Sequence, residues 1–197
     1  MRPTEILMQE HRVIEQVLDC LEIMAQQAGS GGKLDVQSAN QAVDFFRNFA
    51  DRCHHGKEEE CLFPLLEQKG FSPDQGPTSV MRHEHDAGRW HVDGMATAAA
   101  EVASGNSSAR ADFDSHAQAF IVLLREHIQK EDHCLFQMAD KTLSEQDQQQ
   151  LMASFDHVEH EDMGPGTHQK HLDIAVELAD RFGVKSRVMA SCGCSHQ

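Results

Sequence analysis

Six residues combine side chains that bind transition metals with a spacing that repeats along the chain. They are His11, His54, Glu58, His85, His127 and Glu131. The six residues fall into two halves of the chain. His54 follows His11 by 43 residues, and His127 follows His85 by 42 residues. His54 and His127 each open the same pattern, H-x-x-x-E-[E/D]-x-x-L-F. A histidine and a glutamate four residues apart share one face of a helix, where both bind one metal ion or the carboxylate bridges two. The sequence therefore predicts a metal site to which two similar halves contribute.

Long amphipathic helices must position these side chains. Apolar residues recur at three- and four-residue intervals, and the alternation typical of strands never persists. Segments rich in glycine, proline and serine separate four predicted helices, at about 4–28, 35–69, 78–103 and 109–141. Pro64 is expected to kink or end the regular part of the second helix. We predict an all-α protein whose residues 1–143 form an up-down-up-down four-helix bundle.

The residues after the bundle predict a smaller helical extension. Ser144 and Asp147 match a capping box that opens a fifth helix to about His160. A sixth short helix is expected from His168 to Phe182. We expect residues 144–184 to pack on the bundle and residues 185–197 to form a flexible tail with a Cys-Gly-Cys motif.

Helical phase predicts which polar residues face the interior. His54 and Glu58 share a stripe with apolar residues such as Phe46 and Leu62, whereas His55 shares its face with polar residues such as Arg52. The same test directs the other four candidates inward. A solvated face is expected for His55, Glu59, Glu60, His83 and His133, with hydrogen bonding to ligand side chains as the alternative. Core positions are expected for Phe63, Met81, Trp90 and Phe136.

Burying these groups without a cation is costly. Each carboxylate in an apolar core costs several kcal/mol, which argues against a set of ion pairs alone and in favour of metal. Mixed imidazole and carboxylate ligands with open positions favour iron, then manganese, with zinc as a further option. The chain contains 14 histidines, a number that favours metal binding. It contains no tyrosine, which excludes a tyrosyl radical from this chain.

Composition narrows the other possibilities. A formal net charge of -15 disfavours nucleic-acid and anionic-membrane partners. The first residues carry charges where a signal peptide needs an apolar region, and apolar runs are too short to span a bilayer, so we expect a cytoplasmic protein. Nucleophile triads and glycine-rich phosphate loops are absent from the sequence, which leaves hydrolase and kinase functions unsupported.

The remaining cysteines and histidines suggest further chemistry. Four cysteines that occur singly in helical segments are expected to be reduced thiols: Cys20, Cys53, Cys61 and Cys134. Cys192 and Cys194, near His196, suit a soft metal or thiol exchange, or belong to a tail without such a role. A second metal site or simple surface polarity explains His157, His160, His168 and His171.

Four motifs together resemble the hemerythrin-like family in its HHE form. They are EH at 10–11, HHGKEEECLFP at 54–64, MRHEHDAGR at 81–89 and EHIQKEDHCLF at 126–136. The resemblance implies a four-helix bundle with two non-haem iron ions, oxo- or hydroxo-bridged when oxidised. It also implies that the six repeated residues are the iron ligands and that Glu58 and Glu131 are the bridges.

The resemblance also suggests a subtype. Oxygen-carrying hemerythrins have a fifth histidine where this sequence has Met81, and they place a carboxylate at the position of Asp132, whereas Glu131 is the better inward residue here. Four histidines and two glutamates are more similar to the repair-of-iron-centres group. The expected function is binding or reduction of O2, NO or peroxide under oxidative or nitrosative stress, with an unidentified electron donor. A sensor or carrier, and iron storage, delivery or repair, are the alternatives for a monomer or homodimer.

Overall fold

The computed structural model describes residues 1–164 and 166–188, which form six helices and no β-strand. The four long helices are α1 (Pro3–Gly29), α2 (36–68), α3 (Pro77–Ala103) and α4 (109–142). Two shorter helices follow, α5 (145–162) and α6 (Thr167–Phe182). The predicted all-α class is confirmed, and each helix ends within two residues of its predicted bounds.

Two of the long helices change their winding where the repeated motifs lie. In α2, the α-helical stretch Val36–Phe45 passes into π-helical stretches, Phe46–His55 and Lys57–Leu62, before Phe63–Gln68 closes the helix in α form. In α4, the π-helical stretch Glu131–Leu135 lies between Ala109–Lys130 and Phe136–Thr142. Short π-helical segments are frequent at functional sites. Pro64 does not end α2 and instead lies at the start of its last α-helical stretch.

Two apolar clusters show how the four long helices run. The small cluster includes Leu7, Leu62, Met81 and Leu135, one from each helix in turn. The large cluster includes Ile14, Phe46, Met95 and Phe113, again one from each. Helices α1 and α3 therefore run from the small cluster to the large one, and α2 and α4 run the other way. This alternation confirms the up-down-up-down bundle, and the six repeated residues lie where one cluster gives way to the other along each helix.

Helices α5 and α6 contribute to the same two clusters. Phe155 of α5 lies in the small cluster, and Ala175 of α6 lies in the large one. The Gln16 side chain donates from Nε2 to the carbonyl of Ala175 over 2.7 Å, which ties α6 to α1. Ser144 caps α5 by accepting from the backbone N–H of Asp147, as the sequence predicts.

The chain after α6 is held against α1 as far as it is described. Arg187 donates its backbone N–H to the side chain of Gln16, and its guanidinium pairs with Asp19 at 2.7 Å. Cys192 and Cys194 lie outside the described residues. Within the described part, Cys20, Cys53 and Cys134 form no disulfide, in agreement with the expected reduced thiols. None of the described helices combines the length and hydrophobicity needed to cross a bilayer.

The predicted core is largely confirmed, with one error. Phe63, Met81 and Phe136 are buried, but Trp90 exposes 64% of its surface. Trp90 lies on the outer face of α3 because the next turn places Val92 and Met95 against the large cluster. The interior face of this helix is thus set by smaller side chains.

Candidate metal centre

The structure brings the six predicted residues together at the middle of the bundle in two groups that share Glu58. The first group contains His11, His54, Glu58 and Glu131. The second contains His55, Glu58, His85 and His127. Within each group, one nitrogen or oxygen atom of every residue lies within 4.8 Å of the others, and all seven side chains are buried. The two groups therefore lie side by side rather than at opposite ends of the bundle.

The two glutamates reach across the bundle between histidines of different helices. Glu58 directs Oε1 towards Nε2 of His54 at 3.6 Å and Oε2 towards Nε2 of His85 at 3.5 Å. Glu131 places Oε2 at 3.2 Å from Nε2 of both His11 and His127. Each carboxylate therefore faces one histidine from each half of the repeat. This is the arrangement expected of residues that bridge two metal ions.

His55 is the residue that the sequence places wrongly. It is only 6% exposed rather than on a solvated face, and its ring stacks on His85 with centroids 3.7 Å apart. A π-helical turn holds more residues than an α-helical turn, so neighbouring side chains are separated by a smaller angle and both point inward. His54 and His55 lie in such a stretch. The available signal is a mismatch between the repeats, because Ile128 follows His127 where His55 follows His54.

All five histidines are oriented by carboxylates outside the centre. The Nδ1 contacts are His11 to Asp132 at 2.7 Å, His54 to Glu10 at 2.9 Å, His55 to Asp51 at 3.3 Å, His85 to Glu59 at 2.6 Å and His127 to Glu84 at 2.9 Å. An ionised carboxylate only accepts hydrogen bonds, so each Nδ1 carries the proton and donates. In the neutral imidazole each Nε2 then presents a lone pair, which is the state that binds a metal.

These contacts show that the flanking polar residues, for which the sequence predicts one common solvated face, have different roles. Glu59 follows the alternative prediction, because it accepts a hydrogen bond from His85 and a second from Arg89 at 2.8 Å. Asp132 likewise orients His11 from outside the centre, while Glu131 lies inside it. Glu60 and His133 are exposed, as predicted.

The repeat extends to the groups that surround the centre. Lys57 donates to Glu10 in one half, and Lys130 donates to Glu84 in the other. The two phenylalanines of the Leu-Phe pairs stack on histidines of the neighbouring helices. Phe63 lies 5.9 Å from His85 and Phe136 lies 5.5 Å from His11, measured between ring centroids. The halves therefore match in their ligands, their outer carboxylates and their apolar walls, and they differ at position 55.

The centre has the unpaired atoms that a bound cation satisfies. Seven buried side-chain atoms of the centre have no hydrogen-bond partner among the described residues: Nε2 of His11, His54 and His55, and both oxygens of Glu58 and Glu131. Nε2 of His85 and Nε2 of His127 face each other at 3.1 Å, so with both Nδ1 atoms donating, this contact needs either an added proton on one ring or a cation that takes its place. Buried polar groups are rarely left in this state. The residues therefore fit metal ions.

Electrostatics show how protons take the place of metal. Burial and the nearby Glu131 raise the pKa of Glu58 well above its ordinary value. Burial opposes charge on His127, but Glu131 outweighs it and raises the pKa of His127 to about 9. Burial and the neighbouring His11 lower the pKa of His54 to about 3. Without metal, protons are therefore held on Glu58 and His127, and metal binding must release them.

Of the two alternatives for His157, His160, His168 and His171, a metal site shared by these four is not supported, because they do not converge among the described residues. His157 and His160 are exposed on α5. His171 lies 3.4 Å from Asp44 through Nε2, and Nε2 of His168 lies 3.8 Å from Glu10. His168 instead belongs to a third group of possible metal ligands, in which one ligand atom from each of Glu10, Glu159 and His168 lies within 4.8 Å of the others.

Comparison with known proteins agrees with this geometry. The model of the hemerythrin HHE cation binding domain matches residues 2–139. Uncharacterized proteins of Mycobacterium bovis and of the CDC 1551 and H37Rv strains of Mycobacterium tuberculosis are each 26% identical over 180 residues. These matches cover 91% of this chain and 70% of each relative. The chain therefore belongs to the hemerythrin HHE cation-binding domain family, whose members bind metal cations, typically iron.

Proposed function

We propose that the protein binds two iron ions at this centre and that the centre binds or reduces O2, NO or peroxide. The sharing of Glu58 between the two groups supports this proposal most directly. Two ions held by a common carboxylate lie close enough to act on one small ligand together. Glu131, which faces histidines of both groups, provides the second bridge in this proposal.

When bound, ferrous iron supplies electrons and open coordination positions for a small ligand. The protein's own part is to fix donor directions, which the five Nδ1 hydrogen bonds do. The first group offers two imidazoles and the second offers three, so the first leaves more room for an added ligand. We propose that O2, NO or peroxide binds beside His11 and His54. The apolar clusters on either side keep water from this position.

Anaerobic reconstitution with Fe(II) tests the proposal. We expect about two irons per chain by metal analysis, and near-ultraviolet absorption typical of an oxidised di-iron centre after exposure to air. Stopped-flow mixing with O2, NO and H2O2 then shows which ligand reacts. Turnover with an added electron donor supports reduction, whereas reversible binding of one ligand per centre supports a carrier. Fewer than one iron per chain would contradict the proposal.

A sensor is the second candidate, and one contact favours it. Lys57 has a fully buried side chain and donates to Glu10 and to Glu159 of α5. Glu10 in turn accepts from His54 in the centre. Through these groups, a ligand that moves His54 alters a contact with the C-terminal extension. Hydrogen exchange at α5 distinguishes the two functions, because a sensor changes protection there on NO or O2 binding and a simple reductase does not.

Iron storage or delivery through Cys192 and Cys194 remains a prediction from the sequence. Deleting residues 191–197 should slow iron transfer to an apo acceptor and leave the absorption of the iron centre unchanged. Equal transfer rates for the shortened and the full chain would remove this possibility.

A further inference from the structure

A pair of histidines lies against a tryptophan on the bundle surface, outside the metal centre. His91 of α3 and His116 of α4 face each other with their Nδ1 atoms 3.3 Å apart. Both are partly exposed, and His91 lies six residues beyond His85, which is about 9 Å along the helix. The ring of Trp90 lies 4.7 Å from that of His91 and 4.9 Å from that of His116, between centroids.

The separation of the two nitrogens matches a metal site. Two nitrogens bound to zinc at about 2.0–2.1 Å with tetrahedral geometry are about 3.3 Å apart. A hydrogen bond between the two rings is the competing explanation, although a donor–acceptor distance of 3.3 Å is long for one. We propose that His91 and His116 bind one divalent transition-metal ion of the zinc type, with water completing its coordination.

The surroundings favour a cation. The adjoining pocket is lined by Asp93, Glu101 and Asp112 together with His116, and neither lysine nor arginine lines it. Asp112 precedes His116 by four residues, so both project from one face of α4 and line the same pocket, where the carboxylate adds negative charge beside the pair. Burial and the neighbouring His116 lower the pKa of His91, which keeps its imidazole neutral and available near pH 7.

Gly94 makes the pairing possible. A Cβ atom at this position would lie 2.4 Å from Cε1 of His116, so the imidazole occupies space that any other residue would fill. Gly94→Ala therefore displaces the His116 ring while retaining both histidines. This variant separates the geometry of the pair from the mere presence of two imidazoles.

The experiment uses the full-length, untagged protein with iron already in the bundle centre. Trp90 is the one tryptophan of the chain, so its fluorescence reports only on this surface. Co2+ serves as the probe because it takes the same tetrahedral geometry as Zn2+ and quenches nearby tryptophan. We expect saturable quenching by one Co2+ per chain, reversed by Zn2+.

Variants decide between the proposal and unspecific quenching. His91→Ala, His116→Ala and Gly94→Ala should each weaken Co2+ binding roughly tenfold or more, since one of two imidazole ligands is lost or displaced. His83→Ala removes an exposed histidine from the same helix and should leave the titration unchanged. Iron content and circular dichroism of every variant verify that the bundle is intact. Equal quenching in the wild type and the His91→Ala variant, or none in either, would overturn the proposal whether or not the central site holds two irons.

Discussion

The imidazole of His55 lies parallel to that of His85, with ring centroids 3.7 Å apart and an interplanar angle of 11°. This stacking brings a fifth histidine to a centre that the repeat builds from four. Ile128 holds the equivalent position in the other half. The two groups of candidate ligands are therefore unequal even though the two halves of the bundle otherwise match.

Replacing His55 with isoleucine tests this inequality. His55→Ile gives position 55 the residue found in the other half, and we expect iron content after anaerobic reconstitution to fall from about two to about one per chain. The second group loses one of its three imidazoles, whereas the first group is untouched. His133→Ala, which removes an exposed histidine, is the control. Two tightly held irons in His55→Ile would show that His55 is not a ligand.

Glu58→Gln tests the bridging role. In the wild type, free iron at about 100 times its dissociation constant should raise the free energy of unfolding by about 2.7 kcal/mol for each ion bound. Because Glu58 belongs to both groups, we expect this stabilisation to disappear in Glu58→Gln, as it does in the wild type after chelation. Glu60→Gln, at an exposed site, should keep it. Thermal or denaturant unfolding with and without iron gives the measurement, and an undiminished iron effect in Glu58→Gln argues against a bridge.

Lys57 and Lys130 hold equivalent positions in the two halves, so replacing each one measures the stability lost when a carboxylate loses its cationic partner. Lys57→Met leaves Glu10 and Glu159 without their common cation in a buried site, and we expect a loss of about 3–5 kcal/mol of stability. Lys130 is 41% exposed, so Lys130→Met should cost less than about 1 kcal/mol. Denaturant unfolding of the metal-free proteins compares the two. Similar losses would show that burial of Lys57 adds nothing.

The cap of α5 should make stability depend on acid pH. Lys69, and then the hydroxyl of Ser144, lower the pKa of Asp147 from 3.8 to about 2. A lowered pKa means that the ionised carboxylate stabilises the fold above pH 3.8, and that this contribution is lost as the pH falls towards 2. The difference in denaturation midpoint between metal-free wild type and Asp147→Asn should therefore shrink over this range. A difference that stays constant with pH would exclude this origin.

Much of the fold and the centre follows from local patterns in the sequence. Glycine and proline segments mark the helix ends because few other residues adopt those turns, and α-helical periodicity identifies the apolar faces. His54 and Glu58 are correctly directed inward because four residues amount to nearly one turn in both α- and π-helices. The repeat then predicts that His127 and Glu131 do the same.

The errors arise where a rule of ideal helices fails. The prediction of a solvated face for His55 is wrong because the surrounding residues form a π-helix, which α-helical periodicity does not reveal. Trp90 is misplaced because its size suggests a core residue, although Val92 and Met95 already fill that face. The outer partners of the histidines depend on which helices become neighbours. Glu10 and Glu84 precede a histidine in sequence yet orient a different one across the bundle.

The burial of Lys57 affects where the chain can be cut if this domain is to be produced on its own. The family match stops at residue 139, but Glu159, one of the two carboxylates around Lys57, lies 20 residues beyond it. A fragment cut at that boundary would lose Phe155 from the small cluster and would remove Glu159, one of the two carboxylates that accept hydrogen bonds from Lys57. The unit to excise, transplant or fuse to another protein is therefore longer than the matched domain and must carry α5 with it.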